Sequence, residues 1–259
     1  MSSMSLTMLA RSVNTTWNAN GFECEAIQVW RAYLDQTRSQ VDSLHRLLSP
    51  DEKIRASRFC FRRDRDRYVA ARGTLRRILG RYLDIEPGCL EFRYGSYGKP
   101  ALVLESGGDI LHFNLSHSDG VAIFALSGQA ELGIDLELIR ADFATLEIAE
   151  RFFSLGEVAA LRGLPTELRV KAFFNCWTRK EAYLKARGEG LSFPLDRFQV
   201  SLLPGEPALL LQTEDDPREA QRWVLHDLNL DGGFVGALAV EAHPVPSEVA
   251  TLRERISLL

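Results

Sequence analysis

Asp135 and Glu137 stand two residues apart in the run Gly133-Ile134-Asp135-Leu136-Glu137. In a strand, residues i and i+2 project from the same face, so the two carboxylates lie side by side while Ile134 and Leu136 point into apolar packing. Adjacent acids repel, and a partly buried pair calls for a cation or a shared proton. Mg2+ suits such a pair, because it takes a few carboxylates together with waters and phosphate oxygens. The plainer alternative is an edge strand with two solvated acids, and the spacing alone leaves both open.

A second cluster lies in Trp177-Thr178-Arg179-Lys180-Glu181-Ala182-Tyr183-Leu184-Lys185. On a helix, Trp177, Glu181 and Lys185 stack at i, i+4 and i+8. A surface Glu–Lys pair would be worth only about 0.3–0.5 kcal/mol. The tryptophan favours burial, however, and draws the stripe toward protein. Half-buried Glu and Lys need partners, which a metal and a phosphate would supply.

Phe113-Asn114-Leu115-Ser116-His117-Ser118 ends a strand and enters the turn Asp119-Gly120. His117 there is either structural or one of several polar groups holding a phosphate. Gly98-Lys99-Pro100 is a short turn carrying a cation. From Lys53 to Arg81 basic residues crowd the chain (among them Arg55, Arg67 and Arg72), with only Asp64 and Asp66 opposing them. This is an anion-facing helix or a solvated one. Apart from Phe59, Phe61 and Tyr68 it has no interleaved aromatics and no recognisable DNA-reading module, so a phosphorylated small molecule or an acidic protein fits the charges as well as a nucleic acid does.

The elements that must position these groups are legible. Glu25 to Leu34 predicts a strand, and Ser49-Pro50-Asp51-Glu52 opens a helix with an N-cap, a proline at its first position and acids in its first turn. Leu75, Ile78, Leu79 and Tyr82 mark the buried face of a helix ending near Leu83. Short strands punctuated by glycines follow, with Val121 to Leu126 apolar enough to be buried on both faces and Leu132 to Leu138 next. Ser154 to Glu157 has capping-box spacing, so a helix begins there and stops near Gly163. A longer helix runs from about Glu167 to Arg187 and stops at Gly188. Strands return from Phe198 to Ala242, with Asp231-Gly232-Gly233 as a hairpin turn. Two helix-then-strand batches predict an α/β (α+β) protein in two halves, 22–128 and 129–259, behind a flexible N-terminal extension at 1–21.

With 259 residues, 46% hydrophobic and 25% charged, the chain has the composition of an ordinary globular protein, and its net charge of −4 implies no global electrostatic partner. Cys24, Cys60, Cys89 and Cys176 are scattered, form no CxxC pair and predict free thiols. No signal-like or membrane-spanning run is present, so a cytoplasmic protein with no membrane partner is expected.

In chain order GKP at Gly98, FNLSHS at Phe113, GIDLE at Gly133, RFFSLGE at Arg151 and WTRKEAYLKARGEGL at Trp177 resemble the 4′-phosphopantetheinyl transferase superfamily, specifically its long, surfactin-synthetase-activating (Sfp-like) branch. The resemblance runs from about Leu48 to Val240. It implies two similar α/β halves related by pseudo-twofold symmetry, with one active site in the cleft between them, and a chain that works as a monomer. It also implies transfer of 4′-phosphopantetheine from coenzyme A to a serine of an acyl or peptidyl carrier protein, with Mg2+. By this resemblance Asp135, Glu137 and Glu181 are the metal carboxylates. Lys185 and Lys180 flank the pyrophosphate, Ser116 and His117 belong to the phosphate-holding SHS motif, and Lys99 and Pro100 lie beside the adenine. Arg67, with Arg55 and Arg72, falls in the region that binds the 3′-phosphate.

Such phosphoryl transfer relies on positioning and charge stabilisation, with Glu181 expected as the base and Lys185 taking developing charge. A nucleic-acid-binding protein would use the arginines of 53–81 but leave the three carboxylates without a task. An inactive relative that only grips carrier proteins would not need all three.

Overall fold

The run Val121 to Leu126 is buried throughout because it divides two cores: Ala122, Phe124 and Leu126 face one, and Val121, Ile123 and Ala125 face the other. The computed structural model describes residues 6–9, 27–103, 111–190 and 193–242. In chain order the elements are β1 (Leu6–Leu9), β2 (Gln28–Tyr33), α1 (Arg38–Arg46), α2 (Pro50–Ser57), α3 (Arg62–Leu83), β3 (Glu91–Tyr94), β4 (Pro100–Val103), β5 (His112–Ser118), β6 (Val121–Ser127) and β7 (Leu132–Leu138). They continue with α4 (Leu146–Phe152), α5 (Leu155–Gly163), α6 (Thr166–Arg187), β8 (Phe198–Val200), β9 (Leu210–Thr213), α7 (Glu219–Arg222), β10 (Trp223–Leu228) and β11 (Phe234–Glu241).

Two antiparallel sheets carry the molecule. The first has the order β1-β2-β6-β5 and the second β10-β11-β7. On the outer side of the first, α1 and α3 bury Val41, Leu44, Leu75 and Leu79 against Trp30, Phe113 and Phe124. On the outer side of the second, α6 buries Phe173, Phe174, Tyr183 and Leu184 against Val235, Ala237 and Ala239. The inner faces meet through Val29, Ile123, Ile134, Leu136, Leu238 and Val240. Helix, sheet, sheet and helix therefore stack as layers, and period-two alternation assigns each strand residue to one core or the next.

The sequence-predicted strand at 132–138 and the capped helix at 155–163 form as expected, and Ser154 accepts from the Glu157 amide while Glu157 accepts from that of Ser154. Gly188 ends α6 at φ 72°, a left-handed cap that costs a glycine little. Two readings change. The basic segment 53–81 is two helices, α2 and α3, broken around Arg58 to Phe61. Within the N-terminal extension read as loose, Leu6–Leu9 pairs antiparallel with Val29 to Ala32 of β2, because this short LTML run has strand-compatible residues and β2 offers a free edge. The rest of 1–21 lies outside the described residues.

Candidate active site

Asp135 and Glu137 leave β7 on the face opposite Ile134 and Leu136, and that face packs on α6. Gly133 makes the close approach possible: a Cβ there would come within 2.2 Å of both the Ala182 carbonyl oxygen and the Ala186 nitrogen. With the two backbones in contact, Glu181 and Lys185 on α6 flank the acids of β7. Lys185 Nζ lies 2.6 Å from Asp135 Oδ1 and 3.0 Å from Ser116 Oγ, and Ser116 in turn donates to Asp135 Oδ1 at 2.9 Å. Glu137 accepts from Ser118 at 2.9 Å. Asp135 is buried, and its Oδ2 finds no hydrogen-bond partner among the described residues.

The electrostatics of the three carboxylates are mutual. Burial raises the Glu181 carboxyl above the usual carboxylate range, and the charge of Asp135 raises it further while Lys185 opposes. Glu137 is likewise raised by burial and then by Asp135, with the Ser118 hydrogen bond working against the shift. Among the described residues no three His, Cys, Asp or Glu side chains are drawn tightly enough to enclose a metal ion. The carboxylates sense one another without closing into a cage. An orphaned carboxylate oxygen beside two acids that resist ionising is nonetheless the donor set a hard divalent cation would relieve.

Beside these groups lies a cavity of about 370 Å3, lined by Arg55, Arg72, Lys99, Pro100, His117 and Lys185 among others, with Phe59, Tyr68, Tyr94, Tyr97 and Leu184 supplying apolar walls. Its cations suit an anionic ligand with an aromatic part. His117 is depressed below the ordinary imidazole value by desolvation first and by Lys185 second, although part of its side chain reaches solvent. A larger cavity of about 520 Å3 opens on the other side of the β3–β4 hairpin. Charges in its lining pair among themselves, Arg222 with Glu219 and Glu241, and Arg187 with Glu189. The convergent chemistry belongs to the smaller one.

The structure alters the expectations for four basic residues. Lys180 does not face the cleft: it is fully buried, 2.8 Å from Glu157 Oε2, and donates to the Leu195 and Phe198 carbonyls at 2.7 and 2.5 Å. Its neighbour Glu181 points to the site, and one residue along a helix turns a side chain about 100° away. Arg67 is absent from the cavity lining, being held in a two-point grip by Asp35 at 2.6 and 2.7 Å, although its charge is felt at His117. Arg72 does line the cavity, but its guanidinium already donates to Glu52 Oε1 and Tyr94 Oη. Arg76, another basic residue of the 53–81 run, is buried against Glu52 and the carbonyls of Pro87 and Leu90. The charge suggesting an anion-binding helix is thus partly structural.

Lys99 lines the cavity with its stem and ties the hairpin to the second half, donating to Glu131 Oε2, the Leu132 carbonyl and the Ala186 carbonyl at 2.8, 3.2 and 3.0 Å. Sequence reasoning missed Glu131, Asp35, Asn114 and Ser118. For the last two a signal existed, since Asn114, Ser116 and Ser118 form a polar stripe on one face of β5.

Two family patterns match the chain. The one described as "4′-phosphopantetheinyl transferase superfamily" covers residues 131–239, and "4′-phosphopantetheinyl transferase, N-terminal" covers residues 30–129. The 4′-phosphopantetheinyl transferase HetI of Nostoc sp. is 44% identical over 83% of this chain and 88% of its own length. The 4′-phosphopantetheinyl transferase Sfp of Bacillus subtilis is 31% identical over 84% of this chain and 93% of its own. Among solved structures, the holo-[acyl-carrier-protein] synthase (AcpS) of Thermotoga maritima aligns with 49% of this chain and 66% of its own at TM-score 0.35 and 19% identity. On the strength of the first two relatives and of the patterns that span both halves, this chain belongs to the 4′-phosphopantetheinyl transferase superfamily.

Proposed function

We propose that this chain, a phosphopantetheinyl transferase by family, moves 4′-phosphopantetheine from coenzyme A to a serine of a carrier protein with the help of Mg2+, in the cleft where β7 and α6 meet the 370 Å3 cavity. The observation that carries the reading is the convergence of Asp135, Glu137, Glu181 and Lys185 beside a cation-lined cavity, with Asp135 Oδ2 unpartnered. Asp135, Glu137 and Glu181 would hold the ion, which when bound neutralises the diphosphate and eases charge development on its oxygens. Lys185 offers a further positive charge to the phosphates, and His117 and Arg55 offer hydrogen bonds to the nucleotide end. The 3′-phosphate falls to Arg55 and His117, with Arg67 contributing its field from behind.

In the reaction the serine hydroxyl oxygen bonds to the β-phosphorus, the bond from that phosphorus to the bridging oxygen breaks, and 3′,5′-ADP leaves with the bonding pair. Glu181 would accept the hydroxyl proton, a role supported by its place on α6 within electrostatic reach of Asp135 and Glu137. The pseudo-twofold relation of the two halves is supported by their matched long helices, α3 and α6, each of 22 residues and each closed by a left-handed cap, Asp84 and Gly188. A single chain holding both walls of the cleft supports a working monomer. Among the described residues no helix is long and apolar enough to cross a membrane, and the unpaired thiols Cys60, Cys89 and Cys176 favour a reducing compartment such as the cytoplasm.

The test is to incubate the protein with coenzyme A, Mg2+ and a panel of apo carrier proteins. The expected result is a phosphopantetheine mass increment on the carrier serine that disappears with EDTA. No increment on any carrier, with tight, steeply salt-dependent binding to random duplex instead, would favour a nucleic-acid role.

A further inference from the structure

Strands β5 and β7 are edges of different sheets, yet they run beside one another and are joined by side chains in place of a backbone ladder. Asn114 Oδ1 accepts from the Ile134 amide at 2.9 Å, and four residues along, Ser118 Oγ accepts from the Leu138 amide at 3.1 Å. Each polar side chain thus takes an edge amide that a pairing strand would otherwise have taken. The spacing of four on both strands follows from the period of two, which brings alternate β5 residues to the same side.

Ser118 does more than close an edge. A serine hydroxyl has one proton and two lone pairs. With a lone pair taken by the Leu138 amide, the Ser118 rotor is fixed, and its proton goes to Glu137 Oε2 at 2.9 Å. The two carboxylates of β7 are held differently. Asp135 is gripped by Lys185 and Ser116 together, whereas among the described residues Ser118 is the hydrogen-bond partner of Glu137. A glutamate has one more rotatable bond than an aspartate and strays more readily unless tied.

We propose that Ser118 is a positioning residue for Glu137, locking its carboxylate toward Asp135 and Glu181 through a hydroxyl that is itself oriented by the backbone of β7. This rests on the magnesium reading of the three acids, and the test separates the two. Binding of Mg2+ alone is measured by calorimetry on wild type, Ser118→Ala, Ser118→Thr, Asn114→Ala and Asp135→Asn, and the KM for Mg2+ and kcat are measured on the same proteins. Ser118→Ala is expected to weaken Mg2+ binding about 10- to 100-fold, as loss of an outer-shell partner does, with the KM for Mg2+ rising more than kcat falls. Ser118→Thr, which keeps the hydroxyl, restores affinity. Asn114→Ala loosens the other end of the same strand contact and lowers the melting temperature without a comparable loss of Mg2+ affinity. Should Ser118→Ala not fold, Ser118→Cys, with its weak S–H donor, gives the same comparison. If Asp135→Asn loses Mg2+ while Ser118→Ala binds it as wild type does, or if Asn114→Ala weakens it equally, the Ser118 role is overturned and the metal reading stands. If Asp135→Asn binds Mg2+ unchanged, the metal reading falls and the Ser118 role falls with it.

Discussion

Gly133 lies so close to Ala182 that a side chain on it would collide with the Ala182 carbonyl oxygen, at 2.2 Å from a Cβ. The contact is backbone against backbone, so neither side can yield by changing a rotamer. It sets the separation of β7 and α6, and through it the distance from Asp135 and Glu137 to Glu181 and Lys185. The glycine that opens GIDLE is therefore a spacer for the acids that follow it.

Gly133→Ala should force β7 and α6 apart. Overpacking of this kind costs about 1–3 kcal/mol, and more where backbone must move. Urea unfolding should show the loss, and Mg2+-dependent turnover should fall further than stability alone explains. A variant with wild-type stability and turnover would mean that the helix does not rest on the strand there.

The strands and helices around the site were readable because their signals are local: the Ser154–Glu157 box, the glycine stop at Gly188, and the doubly apolar Val121 to Leu126. The carboxylates were readable because Asp135 and Glu137 share a face by strand period, and Glu181 and Lys185 share one by helix period. The destinations of long basic side chains were not. The resemblance alone places Lys180 beside the pyrophosphate, although the helix period that groups Glu181 with Lys185 turns Lys180 about 100° away. The partners that claim Arg67 and Arg72, namely Asp35 and Glu52, lie 32 and 20 residues away, and only tertiary packing brings them into reach.

Lys180 and Glu157 form an ion pair that is fully buried on the lysine side and 3% exposed on the other. Removing one partner of such a pair typically costs about 3–5 kcal/mol, because the other is left charged in an apolar setting. Lys180→Ala should accordingly lower stability by that order, while any folded fraction keeps its KM for coenzyme A. Chemical denaturation and steady-state kinetics on the soluble protein check the two halves of this statement. A large rise in KM with little loss of stability would return Lys180 to the cleft.

Glu137 and Glu181 are both raised above 4.5 by burial and by neighbouring acids. The folded chain then binds more protons than the unfolded chain at pH values just above 4.5, so metal-free stability falls as pH rises through that window. Mg2+ favours the ionised forms and should offset the fall. Melting temperatures from pH 4.5 to 7, with and without Mg2+, should diverge as pH increases, and Glu181→Gln should flatten the metal-free curve. The same variant should lose most turnover at saturating Mg2+. Near-normal turnover would remove Glu181 as the base.

Glu131 gives the opposite dependence. The hydrogen bond with His112, then that from Lys99 together with its charge, hold its carboxyl at about 2 against an ordinary 4.5. A carboxyl depressed by folding contributes stability that is fully present above 4.5 and is lost as pH falls toward 2. The side chain is 42% exposed, so solvent screening keeps the contribution small. Glu131→Gln should be less stable than wild type near neutral pH, and the two should converge as acid is added. The KM for coenzyme A should also rise modestly, because glutamine keeps an acceptor but removes the charge from one of the three contacts through which Lys99 presses the Gly98-Lys99-Pro100 turn against the end of α6. Stability curves that stay parallel down to pH 2 would show that folding does not hold this carboxyl down.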